Sequence, residues 1–508
     1  MIDNATLVFG PPGCGKTHFL LSKVRDALAS GIHPSRIVFV GFTRKAIREA
    51  IDRACAEFSL TERDFPFFRT LHSLAFRGLG IHTGDMMSSD DYRILGNDLG
   101  LVLSMKAASF EDGTMLPQYD GNGARYVFLE SRARYRGVTL DQEFREAKDY
   151  DLHFPLLVKF RRSLESYKTA MGKFDFVDLI EKYIEQCDAP FSDMVIVDEA
   201  QDLNNMQWRM VAKLFENTDH GYIAGDDDQA IYRFAGADVQ EFIRIAENKI
   251  VLDQSYRLPR RVWDLSMQVA RRIQIRVPKE FKPREEEGNV QYHLSWDTLP
   301  LDNGEQFTIM TRVNSFMYEF ANRLEDDGYV YSVKGRASID QTKATVVQYW
   351  RRLQAGEALS LEEVALLYKN APKQGERAVL KRGASKLLEA ADPEDMFYYE
   401  DLVEHYGLIA GKDKNPMDVA QMSPREKLYY EAVERRGIDP MAPPRIKLST
   451  FHTMKGGEDD HCVVYLGSTK ACSESDPDDE HRAFYVAVTR ARNTLHIMET
   501  DKRYRYEL

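Results

Sequence analysis

The sequence predicts an α/β protein built on parallel sheets flanked by helices and interrupted by mainly helical insertions, and three observations carry that prediction. Short apolar runs alternate with helical patterns near the start: Thr6 to Phe9, an amphipathic stretch from Lys16 to Ala29, Ile37 to Val40, and a second amphipathic stretch from Arg44 to Phe58. Such alternation is what parallel strands joined by crossover helices require. Further apolar runs that end in polar residues occur at Met194 to Val197, Gly221 to Ala224, Phe307 to Met310 and Cys462 to Leu466. The carboxyl ends of such strands are where ligands bind in open α/β sheets. Two long stretches, 85–150 and 345–440, are rich in charge and helix formers and break the rhythm, and Pro440-Met441-Ala442-Pro443-Pro444 closes the second.

Bulk composition limits the alternatives. With 508 residues and 43% hydrophobic content the chain can bury more than one core, since single cores stop growing at about 250 to 300 residues. No apolar run approaches the roughly 20 residues of a membrane span, and Met1 to Phe9 lacks the basic start and long apolar stretch of a signal peptide. A cytoplasmic location is expected, in the host cytoplasm if the source is viral. The five cysteines (Cys14, Cys55, Cys187, Cys462 and Cys472) are scattered without a C-x-x-C pair, so reduced thiols are expected rather than disulfides or a metal cluster. The net charge of -12 does not exclude a nucleic-acid partner, because attraction depends on where charge sits rather than on its sum.

The strongest chemical signal is Gly10-Pro11-Pro12-Gly13-Cys14-Gly15-Lys16-Thr17, which satisfies G-x-x-x-x-G-K-[ST] directly after an apolar strand and directly before a helical pattern. Glycines there let backbone N–H groups turn inward around phosphate oxygens, and the following helix offers its positive N-terminus. Lys16 is expected to reach the outer phosphates of a nucleoside triphosphate and the Thr17 hydroxyl to ligate magnesium. The run Met194-Val195-Ile196-Val197-Asp198-Glu199-Ala200-Gln201-Asp202 delivers carboxylates from the end of a second strand. Asp198 is expected to hold magnesium, and Glu199 to orient or deprotonate the attacking water.

The segment Ala224-Gly225-Asp226-Asp227-Asp228-Gln229-Ala230-Ile231-Tyr232-Arg233-Phe234-Ala235-Gly236-Ala237 narrows the field. It resembles the third motif of UvrD/Rep-type superfamily 1A DNA helicases. Others of that family's series follow in order: Gly41-Phe42-Thr43-Arg44-Lys45-Ala46, Thr70-Leu71-His72-Ser73, Asp175-Phe176-Val177-Asp178-Leu179, Gln254-Ser255-Tyr256-Arg257, Thr311-Arg312-Val313-Asn314, the stretch from Thr450 through His452 and Lys455 to Glu458, and Tyr485 to Ala491. The resemblance implies two RecA-like domains with ATP in the cleft between them: 1–84 with 151–255 as domain 1A and 256–344 with 441–508 as domain 2A, interrupted by insertions 1B at 85–150 and 2B at 345–440. It implies that Gln229 senses the γ-phosphate, that Arg257 and Arg490 come from the second domain to stabilise the transferring phosphoryl group, and that Glu458 lies near the ribose. ATP and Mg2+ are the implied cofactors.

The implied activity is that of a DNA-dependent ATPase and 3′ to 5′ helicase or single-strand translocase of replication, repair or recombination. A translocase or protein-displacing clamp that does not separate strands has the same motifs. A small-molecule P-loop kinase is disfavoured by the second α/β block with Arg257 and Arg490. The implied partner is single-stranded DNA and its junctions with duplex, bound by a chain that is monomeric without DNA. A single-strand groove combines basic contacts with aromatic faces worth about 1–3 kcal/mol per stacked base. At the family's DNA-contacting positions stand Phe42, His72, Tyr232 and Phe234, with Lys45, Thr70 and His452 as backbone contacts. The basic runs Arg132-Ala133-Arg134-Tyr135-Arg136 and Lys159-Phe160-Arg161-Arg162 are further candidates to attract phosphates.

Four departures accompany the resemblance. Only nine residues precede Gly10, so the family's adenine-reading glutamine segment is absent or supplied elsewhere. The family's Tyr-x-Trp-Arg-Gly-Ala is here Tyr232-Arg233-Phe234-Ala235-Gly236-Ala237, without the indole and with Ala235 in place of an arginine. The second insertion is shorter than the family's, and no nuclease segment or accessory module follows Arg490 before Leu508.

Overall fold

The computed structural model describes residues 1–42, 44–105, 119–147, 151–375 and 378–508. Six strands, β1 (Ala5–Phe9), β2 (Ile37–Gly41), β3 (Phe68–Thr70), β4 (Met194–Asp198), β5 (His220–Gly225) and β6 (Asn248–Val251), form a first sheet in the order β3-β2-β4-β5-β1-β6. All its pairings are parallel. Successive residues on a strand face opposite sides of a sheet. Val8, Ile37, Phe39, Met194, Ile196 and Ala224 pack against α1 (Lys16–Ala29) and α2 (Arg44–Phe58). The alternate set, Leu7, Phe9, Val38, Val40, Val195, Val197 and Ile223, packs with α3 (Leu71–Gly78) and the helices Phe176–Gln186 and Asn205–Phe215. Burial of both faces is why these strands read as unbroken apolar runs.

The register aligns the strand ends that matter. Phe9 pairs with Gly225, Val197 with Ile223, and Gly41 with Asp198, so the loops leaving β1, β5 and β4 emerge side by side. A Cβ on Gly225 would come within 2.3 Å of the Gln201 side-chain oxygen, which restricts that strand end to glycine.

Between β3 and β4 the chain forms the helices Ser89–Leu99, Ala124–Arg136, Leu140–Ala147 and Phe154–Met171. Tyr92, Leu95, Tyr126, Leu129, Leu157, Phe160 and Leu164 give them a core of their own. That core continues past residue 150 because Leu157, Phe160 and Leu164 complete it. The first basic run is turned inward rather than outward. Arg134 donates to Asp175, to Asp178 and to Glu181, the last two at 2.6 Å, and Lys168 joins Asp175 and Asp178 at 2.5 and 2.8 Å. Arg132 and Arg136 both donate to the buried carboxylate of Glu143. In the second run Arg161 pairs with Glu165 one turn along its own helix.

The second sheet contains β7 (Asn289–His293), β8 (Phe307–Thr311), β9 (Tyr331–Val333), β10 (Arg336–Ala337), β11 (Ile446–Thr450), β12 (Asp459–Tyr465) and β13 (Ala491–Met498), in the order β10-β9-β11-β8-β12-β13-β7. β8 runs parallel to β11 and β12, β9 parallel to β11, and β9 and β10 form a hairpin. Phe307, Ile309, Ile446, Leu448 and Val463 share one core with Trp350, Tyr368, Leu402 and Val433. The sheet and the helices of 345–440 are therefore packed continuously, and the helix Gln341–Gln354 leads from one into the other. β12 starts at Asp459, earlier than the apolar run from Cys462, because the Asp459 carboxylate accepts from Thr308 and Lys447, both at 2.8 Å. Those partners make room in the sheet for residues that hydrophobicity alone excludes.

By contacts the chain divides into two compact units, Met1–Val290 with Lys470–Asn493 and Leu508, and Gln291–Thr469 with Thr494–Glu507. The segments 256–290 and 470–493, which the sequence assigns to the second α/β block, are counted with the first sheet. Arg482 in the second of them donates to the main-chain oxygens of Asp227 and Ile275. Among the described residues no helix is long and apolar enough to cross a membrane.

Arg134→Ala leaves the buried Glu130 without its paired cation and Asp175 and Asp178 with Lys168 alone, and Asp175 is also the N-cap of the helix Phe176–Gln186. Removing one partner of a buried ion pair costs about 3–5 kcal/mol, so urea denaturation of this variant is expected to show a loss of that order. A loss below about 1 kcal/mol, the range of exposed pairs, would contradict the buried assignment.

Candidate functional site

The loop after β1 is shaped by two glycines in the left-handed region, Gly13 at φ 72° and Gly15 at φ 76°, where other residues are strained. α1 begins at Lys16 with Gly15 as its N-cap. A Cβ on Gly10 would lie 1.9 Å from Lys16 Cγ, and one on Gly13 would lie 2.2 Å from Arg257 Cβ. The loop is thus wrapped closely around the lysine. It is held from behind by Ser255, whose hydroxyl donates to the Pro12 carbonyl at 2.7 Å, and by the Tyr256 N–H on the Gly13 carbonyl at 2.8 Å. The Cys14 N–H closes a turn on the Pro11 carbonyl, and burial pushes the Cys14 thiol up to about 11, which leaves it inert as a nucleophile.

Lys16 Nζ lies 3.3 Å from the Gly10 carbonyl and 3.3 Å from Glu199 Oε1. Burial opposes its charge, but Glu199, Cys14, Asp198 and Asp226 more than offset that and hold its pKa above the usual lysine value. Asp198 ends β4, accepts from the Glu199 N–H at 2.9 Å, and has Oδ2 3.5 Å from the Thr17 hydroxyl. Its carboxyl is pushed up to about 7 by burial and then by Glu199, against the pull of Lys16. Two adjacent carboxylates facing one lysine, with a hydroxyl beside them, form an all-oxygen donor set with surplus negative charge, and that suits a hard divalent cation. Glu199 itself has φ 53°, an uncommon conformation for a non-glycine residue that concentrates at functional sites.

From this point hydrogen bonds run without a gap to Arg490. Gln201 Nε2 donates to Glu199 Oε2 at 2.6 Å, and Gln201 Oε1 accepts from the Asp226 N–H at 3.1 Å. Gln229 Nε2 donates to Asp226 Oδ2 at 2.7 Å, and Gln229 Oε1 accepts from Arg490 Nη2 at 2.8 Å. Arg490 is buried and is further fixed by the Val486 carbonyl and the Thr489 hydroxyl. Arg257 reaches the Thr489 carbonyl at 3.5 Å. The loop, Asp198, Glu199, Gln229, Arg257 and Arg490 therefore belong to one neighbourhood within the first unit.

The residues expected to contact a strand divide. Phe42, Tyr232 and Phe234 form a file of rings, with centroids 5.3 Å apart for the first pair and 6.2 Å for the second. Tyr232 is buried, whereas Phe234 is 47% exposed and borders a cleft of about 700 Å³ with Arg132, Arg136 and Arg233. Thr70 caps α3, its hydroxyl accepting from the Ser73 N–H. His72 is buried beside Phe176, and burial lowers its pKa to about 3, so it is a neutral imidazole at ordinary pH. The side chain of Lys45 lies outside the described residues. His452 and Glu458 belong to the second unit, on the tight turn between β11 and β12 where the Lys455 N–H donates to the His452 carbonyl.

Several participants carry no local sequence signal. Gln201 lies inside the acidic run but bridges Glu199 to Asp226 only after β4 and β5 are paired. Lys279 and Arg276 follow a helix end with no motif around them. Yet Lys279 meets Asp226, Asp227 and Asp228 at 3.1, 2.5 and 2.9 Å, and Arg276 holds Asp228 with two hydrogen bonds. Tyr256 does stand in a motif, Gln254 to Arg257, but has no expected role there; it is 71% exposed, and its ring would be 4.0 Å from a Cβ on Gly15.

A glycine loop at the end of a parallel strand, a lysine inside it and a carboxylate at the end of a neighbouring strand define a P-loop nucleotide-binding site. Residues 1–249 match the family model of the UvrD/REP helicase N-terminal domain. Through that region the chain is similar to the UvrD/REP helicase family. Curated relatives include a probable DNA helicase II homolog of Mycoplasma capricolum, 25% identical over 55% of this chain and 40% of that protein. They also include the ATP-dependent DNA helicase PcrA of Bacillus subtilis, 24% identical over 66% of this chain and 46% of its own. DNA helicase II of Escherichia coli is 26% identical over 49% and 36%. The chain spans less than half the length of each of these relatives.

Two outcomes are expected. Gly10→Ala places a methyl on the Lys16 stem and should weaken nucleotide binding at least about tenfold, or about 1.4 kcal/mol, in a fluorescent-nucleotide titration. Unchanged affinity would mean that the loop does not hold Lys16 as described. His72 has a folded pKa of about 3, below the unfolded value of about 6.5. Its neutral form therefore contributes stability that is complete above the unfolded pKa and is lost as pH falls toward the folded one. His72→Gln should flatten part of the decline in urea stability below pH about 6.5; an unchanged slope would show that His72 titrates normally.

Proposed function

We propose that this chain is an ATP-driven DNA helicase, or single-strand translocase, that moves 3′ to 5′. In this reading 1–84 with 151–255 and 256–344 with 441–508 are RecA-like domains carrying helical insertions at 85–150 and 345–440, and ATP lies at the Gly10–Thr17 loop. The observation that carries the reading is that one short segment serves both ends of the process. Gln229 stands in the hydrogen-bonded path from Lys16 and Glu199 to Arg490, and Tyr232 and Phe234, a few residues on, belong to the aromatic file with Phe42. A change at the phosphates is thereby mechanically close to a change at stacked bases.

Thr17 and Asp198 are the residues that would hold Mg2+, which supplies neutralisation of phosphate charge. Lys16 offers its ammonium to the outer phosphates. Glu199 orients water and accepts its proton. Arg257 and Arg490 stabilise charge on the transferring group, a role whose loss costs about 10³ to 10⁵ in rate. Tyr256, exposed beside Gly15, offers an aromatic face to a nucleobase, and Phe234 offers one to DNA with Tyr232 behind it. The relatives' names, DNA helicase II and ATP-dependent DNA helicase, support the same activity.

ATP hydrolysis measured with and without single-stranded DNA, beside strand displacement on 3′-tailed and 5′-tailed duplexes, tests the proposal. DNA-stimulated hydrolysis with displacement only from the 3′ tail is expected. Stimulation without displacement points to a translocase or clamp, and absence of stimulation overturns the proposal. Lys16→Ala should lose nucleotide binding, whereas Glu199→Gln should keep it and lose at least about 10² in turnover. Normal turnover by Glu199→Gln would remove Glu199 from the catalytic role.

A further inference from the structure

The amide of Gln229 can face its neighbours in two ways, and its surroundings permit one. Arg490 is a donor with no lone pair to offer and needs the amide oxygen, which leaves the amide N–H for Asp226 Oδ2 as acceptor. Only the orientation with Nε2 toward Asp226 and Oε1 toward Arg490 satisfies both, at 2.7 and 2.8 Å.

Asp226 is itself pinned from its other oxygen. Oδ1 lies 3.1 Å from Lys279 Nζ and accepts the Asp228 N–H at 3.2 Å. Lys279 has a fully buried side chain, sits 5.6 Å from the centre of the Phe9 ring at the end of β1, and is shared with Asp227 and Asp228. Arg276 takes Asp228 with two hydrogen bonds, and the Val277 N–H takes Asp227 Oδ2 at 2.7 Å. Asp226 is thus the one member of the three whose carboxylate joins Lys279 to Gln229.

We propose that Lys279 and Asp226 are positioning residues that set the orientation of Gln229, and through it of Arg490, toward the phosphates. This rests on the reading of Gln229 and Arg490 as groups that act on the transferring phosphoryl group. Asp226→Asn should reverse this orientation. The side-chain oxygen of the new asparagine is drawn to the Lys279 ammonium and the Asp228 N–H, so its NH2 faces Gln229. Gln229 must then turn its oxygen toward residue 226 and its NH2 toward Arg490, where two donors oppose each other. Asp227→Asn removes the same charge from the same lysine but leaves the Gln229 contact untouched.

The test compares Asp226→Asn, Asp227→Asn and wild type in DNA-stimulated ATP hydrolysis, nucleotide binding and thermal unfolding. Asp226→Asn is expected to lower kcat at least about tenfold with KM for ATP within about threefold, the signature of an interaction made in the transition state. Asp227→Asn is expected to stay within about threefold of wild type in kcat. Both should unfold at similar temperatures. In a double-mutant cycle, Asp226→Asn should cost little more once Gln229→Ala is present, because residues acting as a unit are not additive. Equal kcat losses for the two asparagine variants, or losses that simply follow unfolding temperature, would overturn the relay while leaving the ATPase reading intact. A wild-type chain with no ATPase activity overturns that reading instead. If Asp226→Asn does not fold, Lys279→Gln releases the same carboxylate from the other side and carries the same expected split, with an unchanged kcat overturning the proposal.

Discussion

Asp198, Asp226, Asp227 and Asp228 sit at the carboxyl edge of the first sheet with almost no access to solvent, and much of the site follows from neutralising them there. Carboxylates taken out of water cost several kcal/mol each unless counter-charges and hydrogen bonds meet them. Lys16 meets the pair Asp198 and Glu199. Lys279 and Arg276 meet the other three, which keeps Asp228 below the usual carboxylate range while burial leaves Asp227 raised to about 6. The cations come from distant parts of the chain, so neutralisation also ties the segment 271–283 to the strand ends.

That edge is where it is because a parallel sheet sends all its strands out on the same side. With β5 between β1 and β4, the residue after β5 lies between the lysine-bearing loop and the acidic pair. Asp226 is that residue, and it is joined by Gln201 to one side and by Gln229 to the other. The short loop that carries Gln229 continues into Tyr232 and Phe234. Gln229 and the ring-bearing Tyr232 are consequently only three residues apart, a distance over which backbone displacement is transmitted with little slack.

Much of the fold was legible because the relevant signals are local. The strand cores of β1, β2 and β4 are apolar on both faces, and α1 and α2 coincide with the amphipathic stretches expected at 16–29 and 44–58. The glycine loop and the carboxylates after β4 were legible for the same reason: ligand chemistry demands certain residues at fixed spacing. Where a polar residue is accommodated by a distant partner, legibility failed. Asp459 lies in β12 through Thr308 and Lys447. The basic run at Arg132 to Arg136 looks exposed in sequence but meets Glu143, Asp175 and Asp178 in the fold. His72 stands in a motif, yet its ring is buried and neutral.

The sequence by itself determined the alternation of strands and helices, the glycine loop around Lys16, the identity of Asp198 and Glu199 at a strand end, and the resemblance to the UvrD/Rep helicases. These depend on periodicity, on spacing within a few residues and on the order of short motifs along the chain, all of which the chain carries before it folds. Tertiary structure decided which charges meet: Lys279 with Asp226, Gln201 between Glu199 and Asp226, and Arg490 on the oxygen of Gln229. Such pairs are set by which strands lie side by side and by how much water their packing excludes, and neither is written in the spacing of the residues concerned.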